Sequence, residues 1–355
     1  MLLSEMARRE GLFDRLAEFA LRHANGSGRK LFSLVYAAGT LVTIFLSNDA
    51  TAVVLTPAVY AVAKRAGAPA LPYLLICAFI ANAASFVLPI SNPANLVVFG
   101  SGMPTLGQWL MRFGLPSVVS ILVTYGLLHV SQKTQLPPKI ARVGDAVRLS
   151  PGARIAAGGI AVTSVVLLVA SLVGWDLGLP TCLAAVAVCL VMSVLNRASP
   201  LPLLRGISWS VLPLVAGLFV LVQAVQATGA FSSLTQLAHL QSQQAPVATG
   251  LWGGAAVAFG SNLINNLPMG LLGATVVQSA QLPLSVSGAW LIGVDLGPNL
   301  SITGSLATIL WLIALRREGQ TVSGWAFLRV GGWLMPVSLG ATLGVFALLS
   351  RFQAG

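Results

Sequence analysis

Two carboxylates are set apart by the residues around them. Asp49, in SNDATAVVLTP, ends a run of sixteen apolar or weakly polar residues, LFSLVYAAGTLVTIFL. Asp295, in VDLGPNLSITGSLA, lies between two further apolar stretches. An aspartate at membrane depth is costly unless partnered or hydrated, and such residues mark ion and proton pathways. Uncharged polar residues cluster around both, and at two more interruptions of the apolar pattern. The first break holds Ser47, Asn48, Asp49 and Thr51; the second, in SNPANLVVFG, holds Ser91, Asn92 and Asn95. The third, in GSNLINNLP, holds Ser261, Asn262, Asn265 and Asn266; the fourth holds Asp295, Gly297, Asn299, Ser301, Thr303 and Ser305. The chemistry on offer is hydroxyl, amide and at most two carboxylates. It suits binding of a small polar solute coupled to H⁺ or Na⁺. No basic residue lies at these breaks, which disfavours a strongly anionic substrate. Two plainer readings compete: aspartate is a favoured N-cap, and breaks can serve packing alone.

These residues sit in a chain of 355 residues that is 56% hydrophobic and only 8% charged, with mean hydropathy +0.86. Soluble domains carry about 25% charged residues, so the composition predicts an integral membrane protein, all-α and polytopic because the apolar stretches recur along its whole length. The net charge of +11 reflects Lys and Arg in short loops, as the positive-inside rule expects, and not nucleic-acid binding. The N-terminal stretch has acids in it and no apolar core of signal-peptide length.

The apolar pattern predicts membrane segments at 31–46, 52–64, 71–90, 114–132, 153–174, 178–195, 208–228, 247–260, 267–278, 285–294, 300–315 and 330–350. Several are too short to cross a hydrocarbon core of about 30 Å at a rise of about 1.5 Å per residue. Paired short helices with a polar break read as re-entrant hairpins or discontinuous helices, tolerated where they line a cavity or are buried in protein. Pro93, Pro268 and Pro298 interrupt the helical ladder. Arg29 and Lys30 before the first hairpin, and Lys64 and Arg65 after it, place both of its ends in the cytoplasm. The loop 133–154, with Lys133, Lys139, Arg142, Arg148 and Arg154, is also inside. Arg197, Arg205, Arg316 and Arg317 mark later returns. The loop 229–246 carries no charged residue and suits the outside, so the second broken unit, 247–278, enters from there. Asp176 reads as a turn residue.

The topology is inverted about the middle, and the sequence carries a matching repeat. GLFDRLAEFALRH (11–23) resembles GAFSSLTQLAHLQ (229–241) at an offset of 218 (229 − 11). SND (47–49) matches INN (264–266), and Arg112 pairs with Arg329, each at 217 (265 − 48; 329 − 112). This gives a first inverted repeat over 1–132, a basic cytoplasmic loop over 133–152 and a second repeat over 153–355. Inverted repeats with paired broken helices mark secondary transporters, with the site where the breaks meet. Three predicted helices precede the second GAF-type segment and none precedes the first. Subtracting the offset from the first of them (153 − 218) gives −65, so about 65 residues are expected upstream of Met1, making it an internal methionine; a naturally shortened transporter is the alternative.

Other chemistry is missing. Cys77, Cys182 and Cys189 lie in apolar stretches without ligand spacing and read as inert thiols. His23, His129 and His239 are far apart and read as interfacial. No GxxxxGK[ST] nucleotide loop is present, so the chain is not expected to hydrolyse ATP on its own; a transporter with no metal site and no cofactor, and not an enzyme, is the expectation.

NDATAVVLTPAVYAVAKRAG, ISNPANLVVFG, NNLPMGLLGA and above all DLGPNLSITGSLATILWL resemble the arsenical pump membrane protein family, arsenite and antimonite efflux permeases of the ion transporter superfamily. The resemblance covers nearly all of the chain. It implies a multi-pass bacterial inner-membrane carrier that exports As(III) and Sb(III), driven by the proton gradient or by an arsenite-stimulated ATPase subunit where one exists. It places Asn48, Asp49 and Thr56 in one family motif and Asp295, Gly297, Pro298, Gly304 and Ser305 in another. As(OH)₃ is a neutral, polyol-like solute that Asn, Ser and Thr side chains and helix termini can hold, with Asp49 or Asp295 carrying the exchanged proton. Alternatives on the same scaffold are a sodium/proton antiporter, an anion or silicate carrier, and a truncated subunit that does not transport. Association of two copies through the scaffold helices is compatible with all of them.

Overall fold

The structure is a computed structural model that describes residues 2–142, 150–173, 175, 177–195, 199–207, 209 and 211–352. The expectations for Arg148, Asp176 and Arg197 fall outside the described residues. The architecture is all-helical. The first half comprises α1 (Leu2–Arg9), α2 (Leu12–His23), α3 (Gly28–Phe45), α4 (Asn48–Ala50), α5 (Thr56–Arg65), α6 (Ala70–Ala83), α7 (Pro93–Phe99) and α8 (Leu106–Gln132). Then follow α9 (Pro151–Leu172), α10 (Gly178–Leu195), α11 (Leu201–Gly206), α12 (Val211–Ala227) and α13 (Ser232–Gln244). The second half closes with α14 (Pro246–Ile264), α15 (Asn266–Ser279), α16 (Leu284–Leu296), α17 (Leu306–Arg317) and α18 (Gly324–Phe352). Among the described residues, α8, α9, α10, α14 and α18 are long and apolar enough to cross a membrane, and α12 with α13, bent by 86°, supplies a sixth candidate. Leu122, Val162, Leu183 and Val220 stand exposed on these helices, as side chains that face lipid do.

The first re-entrant hairpin is α3 running to the tip at Ser47 and returning through α4, a π-helical turn at Thr51–Leu55 and α5. Its two feet meet one strip of chain: Ile140 N donates to Gly26 O at 2.9 Å and Ala141 N to Ala66 O at 3.0 Å. Both feet therefore lie on the side of the basic segment carrying Lys139 and Arg142, as the charge pattern requires. The second hairpin is α14 and α15, turned at Asn265. There the backbone takes φ 77° and ψ 153°, a positive-φ conformation outside the left-handed helical region and strained for any residue but glycine. The His239 ring of α13 bonds Ala280 O near its foot at 2.9 Å.

The same elements recur in the same order in both halves: α3 and α14, α4–α5 and α15, α6 and α16, α7 and α17, α8 and α18. The halves are interlocked, with α4 and α5 of the first packed on α17 of the second, and α15 packed on α7. Asn82 Nδ2 donates to Asn299 Oδ1 at 3.0 Å, and these residues are 217 positions apart. That is the repeat offset. A residue touching its own counterpart sits on the pseudo-two-fold axis, which thus passes between the ends of α6 and α16. Thr124 Oγ1 of α8 and Ser338 Oγ of α18 lie 3.2 Å apart.

The tightest helix pair is α14 with α16. Gly250 and Gly254 on one, and Gly293 and Gly297 at the end of the other, repeat at four-residue spacing, the small-residue pattern that lets membrane helices approach. A Cβ on Gly254 would lie 2.7 Å from Ala289 O, and one on Gly293 would overlap Gly254 O. The contacts advance together from Gly250 to Ala258 and from Ser285 to Gly297, so the helices run parallel.

Several boundaries differ from those read in the sequence. The segment 71–90 is helical only to Ala83, after which the chain unwinds to Asn92. The uncharged loop expected at 229–246 is largely α13, an amphipathic helix whose Gln and Ser residues disguised it. Helix α8 starts at Leu106 instead of 114, because Thr105 and Gln108 form a capping box, a strong N-terminal signal that hydropathy does not register. Helix α7 has seven residues, too few for any apolar window. At the N-terminus Glu5 pairs with Arg8 at 2.5 Å and Arg9 at 2.8 Å, while Met6 of α1 packs with Cys189, Met192 and Leu203.

Candidate functional site

Asp295 lies in the last turn of α16, fully buried. That is the end of a helix where a negative charge is opposed by the macrodipole, so it is no N-cap. Its Oδ1 accepts from Asn92 Nδ2 at 2.7 Å. Among the described residues its Oδ2 accepts no hydrogen bond, although the Ser85 hydroxyl lies beside the carboxyl. No cation pairs with it; the described ion pairs all involve Glu5 or Glu18. Asn92 also caps α7 through Ala94 N at 3.1 Å. Its amide thus ties a first-half helix terminus to a second-half carboxyl. The unwound stretch between α6 and α7 is held by Asn95, whose Nδ2 donates to Ser85 O at 2.8 Å and Leu88 O at 3.3 Å.

At the first tip, Ser47 is the cap: its Oγ accepts from Ala50 N at 3.1 Å. Asp49 therefore does not cap either. Its backbone N donates to Asn48 Oδ1 at 2.9 Å, and its half-buried carboxylate has no described hydrogen-bond partner. Thr51 is fully buried and shares a 2.8 Å hydrogen bond with Thr43. Ser91 Oγ donates to Ile44 O at 2.9 Å, which anchors the second break on the arm of the first hairpin.

The third and fourth breaks are knitted together. Asn262 Nδ2 donates to Gly297 O at 2.9 Å and its Oδ1 accepts from Ser301 Oγ at 2.8 Å. Asn265 Nδ2 donates to Thr303 O at 3.2 Å, Thr303 Oγ1 to Asn262 O at 3.1 Å, and Asn266 N to Gly304 O at 2.8 Å. Ser261 turns back to Val257 O at 2.9 Å. Gly304 is required here, since a Cβ on it would stand 2.7 Å from Asn262 Oδ1. Ser305 caps α17, accepting from Thr308 N at 3.1 Å. Loss of a serine cap typically costs about 1 kcal/mol, so Ser305→Ala is expected to lower the thermal unfolding midpoint in detergent. An unchanged midpoint would remove the cap from the account of the fourth break.

The fold thus joins the second break to the fourth through Asn92 and Asp295, the second to the first through Ser91, and the third to the fourth through Asn262. It does not join the two hairpin tips: among the described residues no hydrogen bond links 47–51 to 261–266, and none links Asp49 to Asp295. Asn82, Ser85 and Thr43 belong to this polar seam but were not among the residues read from the sequence. Asn82 is a single amide inside an apolar run; only its match to Asn299 at the repeat offset could have flagged it.

Two re-entrant hairpins meeting paired unwound helices at an axis of internal symmetry define a secondary transporter. The comparisons agree. Residues 1–294 match the family model described as CitMHS, citrate transporter, and the chain belongs to that family. It is similar to the arsenical pump membrane proteins of Escherichia coli, at 28% identity over 370 residues, and of Escherichia coli strain K12, at 29%. Each alignment covers 99% of this chain and 85% of the relative. An uncharacterized transporter of Mycobacterium bovis is 25% identical, covering 96% of this chain and 81% of its own. In fold it matches the Alcanivorax borkumensis YdaH transporter, whose topology is described as unusual, with TM-score 0.60, 18% identity, and coverage of 99% of this chain and 84% of that one. The protein is a multi-pass transporter of the bacterial inner membrane, and not an enzyme.

Proposed function

We propose that this chain exports arsenite or antimonite from the cytoplasm in exchange for protons. The observation that carries the reading is Asp295, buried where the two halves meet, bonded to the neutral amide of Asn92 and facing no cation. A buried acid facing no fixed cation marks an ion or proton pathway, because its charge is costly there without an exchanged ion beside it. The family model is described as a citrate transporter, yet the four breaks contain no Lys, Arg or His. A tricarboxylate would find no counter-charge there. A neutral trihydroxide needs no counter-charge, only amides and hydroxyls of the kind the four breaks carry, and the relatives named arsenical pump membrane protein support that solute. The division into repeats over 1–132 and 153–355 is part of this proposal, the two tips forming the two sides of the path. As(III) uptake into everted vesicles under an imposed pH gradient tests it: uptake should collapse with the gradient, and uptake indifferent to the gradient would end the proton-exchange reading. A sodium/proton antiporter is the second reading, favoured by the two intramembrane aspartates; sodium-dependent proton movement without arsenite would select it.

Thiolates bind As(III) tightly, but Cys77 does not take part. It is fully buried in α6 beside the Thr56 hydroxyl, within a helix that ends six residues further on at Ala83. Cys77→Ser is expected to leave As(III) uptake unchanged, and loss of uptake would bring the thiol into the path.

A further inference from the structure

Among the described residues three fully buried side-chain oxygens of the polar seam accept no hydrogen bond, Asp295 Oδ2, Asn82 Oδ1 and Asn95 Oδ1; the one hydroxyl beside Asp295, that of Ser85, is spent on Asn82 O. They belong to one bonded network. Asn92 reaches Asp295 at 2.7 Å, Asn95 reaches Ser85 O at 2.8 Å, and Ser85, which lies beside Asp295, donates its hydroxyl to Asn82 O at 2.7 Å. The amide orientations are fixed by their donors. Turning Asn95 over would forfeit its bonds to Ser85 O and Leu88 O. Turning Asn82 over would forfeit the bond to Asn299, itself committed to Phe79 O at 3.1 Å. A buried acceptor without a donor is unfavourable by about 1–3 kcal/mol, and three together need a common explanation. Protonating Asp295 adds one donor, which answers at most one amide oxygen. A cation held at the Asp295 carboxylate is the single species that could serve the carboxylate and the amide oxygens together.

We infer that Asp295, Asn82 and Asn95 form a dehydrated binding site for a small monovalent cation, Na⁺, at the pseudo-two-fold axis. The donor set is hard oxygen, which selects alkali and alkaline-earth ions over transition metals. It holds a single carboxylate, and no group of three His, Cys, Asp or Glu side chains occurs among the described residues; a divalent ion would keep an uncompensated charge in the membrane. The site is separate from both hairpin tips. It builds on the reading of Asp295 as the coupling group and adds that Na⁺ and H⁺ exclude each other there.

The test needs no arsenite. The purified full chain in detergent, in alkaline buffer, is unfolded thermally in graded NaCl, with choline chloride holding ionic strength constant. The midpoint is expected to rise with Na⁺ and not with choline. The rise should vanish in Asp295→Asn and persist in Asp49→Asn. Equal midpoints in the two salts would overturn the site and leave the three oxygens to water. So would a Na⁺ effect that survives in Asp295→Asn and is lost in Asp49→Asn, which would move the ion to the first hairpin tip. Should Asp295→Asn fail to fold, binding of radioactive sodium to the unsubstituted protein decides: no bound ion removes the proposal. Arsenite uptake without Na⁺ stabilisation drops only the cation site, whereas Na⁺ stabilisation without arsenite uptake drops only the metalloid.

Discussion

Vesicles containing Asp295→Asn are expected to lose concentrative As(III) uptake while still letting As(III) equilibrate down its gradient. The substitution keeps shape and keeps an oxygen for Asn92 Nδ2, so the junction between halves survives. What disappears is the ability to change charge. A hydrogen bond to a charged acceptor is worth about 1.5–3 kcal/mol against about 1 for a neutral one, so on this difference alone the gradient-driven rate should fall by about 2- to 30-fold. The accumulation ratio should fall to that seen without a gradient. Asp49→Asn is the informative comparison, because the Asp49 carboxylate is half-buried and has no described partner. Its removal breaks no internal bond and reports on the solute path alone. Accumulation by Asp295→Asn at the unsubstituted level would take the coupling charge away from α16.

Gly293→Val is expected to destroy the folded state. The added side chain meets the carbonyl oxygen of Gly254 and the backbone around it, not a movable side chain. Overpacking a close-packed interior costs typically about 1–3 kcal/mol, and here relief requires parting α14 from α16, which would pull Asn262 off Gly297 O. Loss of the monodisperse species on size-exclusion chromatography, or a large drop in unfolding midpoint, would show it. Gly332→Ala is the control: its Cβ meets nothing within 4 Å in α18, and alanine is favoured over glycine in a helix by about 1 kcal/mol, so that variant should be at least as stable. A Gly293→Val protein that unfolds like the parent would contradict the close crossing.

The hairpins were legible because polar tips such as Ser47–Asp49 and Asn262–Asn266 interrupt apolar runs, and the basic residues beside the first hairpin marked the side its two feet share. The repeat was legible because SND and INN share an offset with Arg112 and Arg329. What escaped had no hydropathic contrast. The unwinding after Ala83 begins inside an apolar stretch, with no glycine or proline before Pro89 to announce it. Helix α13 looks like loop because its polar face is Gln and Ser, without charge. The bond between Asn92 and Asp295 spans 203 residues, and nothing local to either residue specifies the other.

The interlocking of the halves sets a timetable for synthesis. Trp311 Nε1 donates to Leu74 O at 2.9 Å across 237 residues of chain, and Asn299 reaches Phe79 O across 220. At about 5–20 residues per second, the first hairpin and the end of α6 wait roughly 12–50 s for their partners. Through that interval the Asn82 amide and the Leu74 and Phe79 carbonyls lack partners that are still on the ribosome, Asn299 and Trp311. The nascent first half must therefore be shielded from lipid by the insertion machinery until α16 and α17 emerge, and completion of the chain, not its first insertion, is the step that commits it to the folded state.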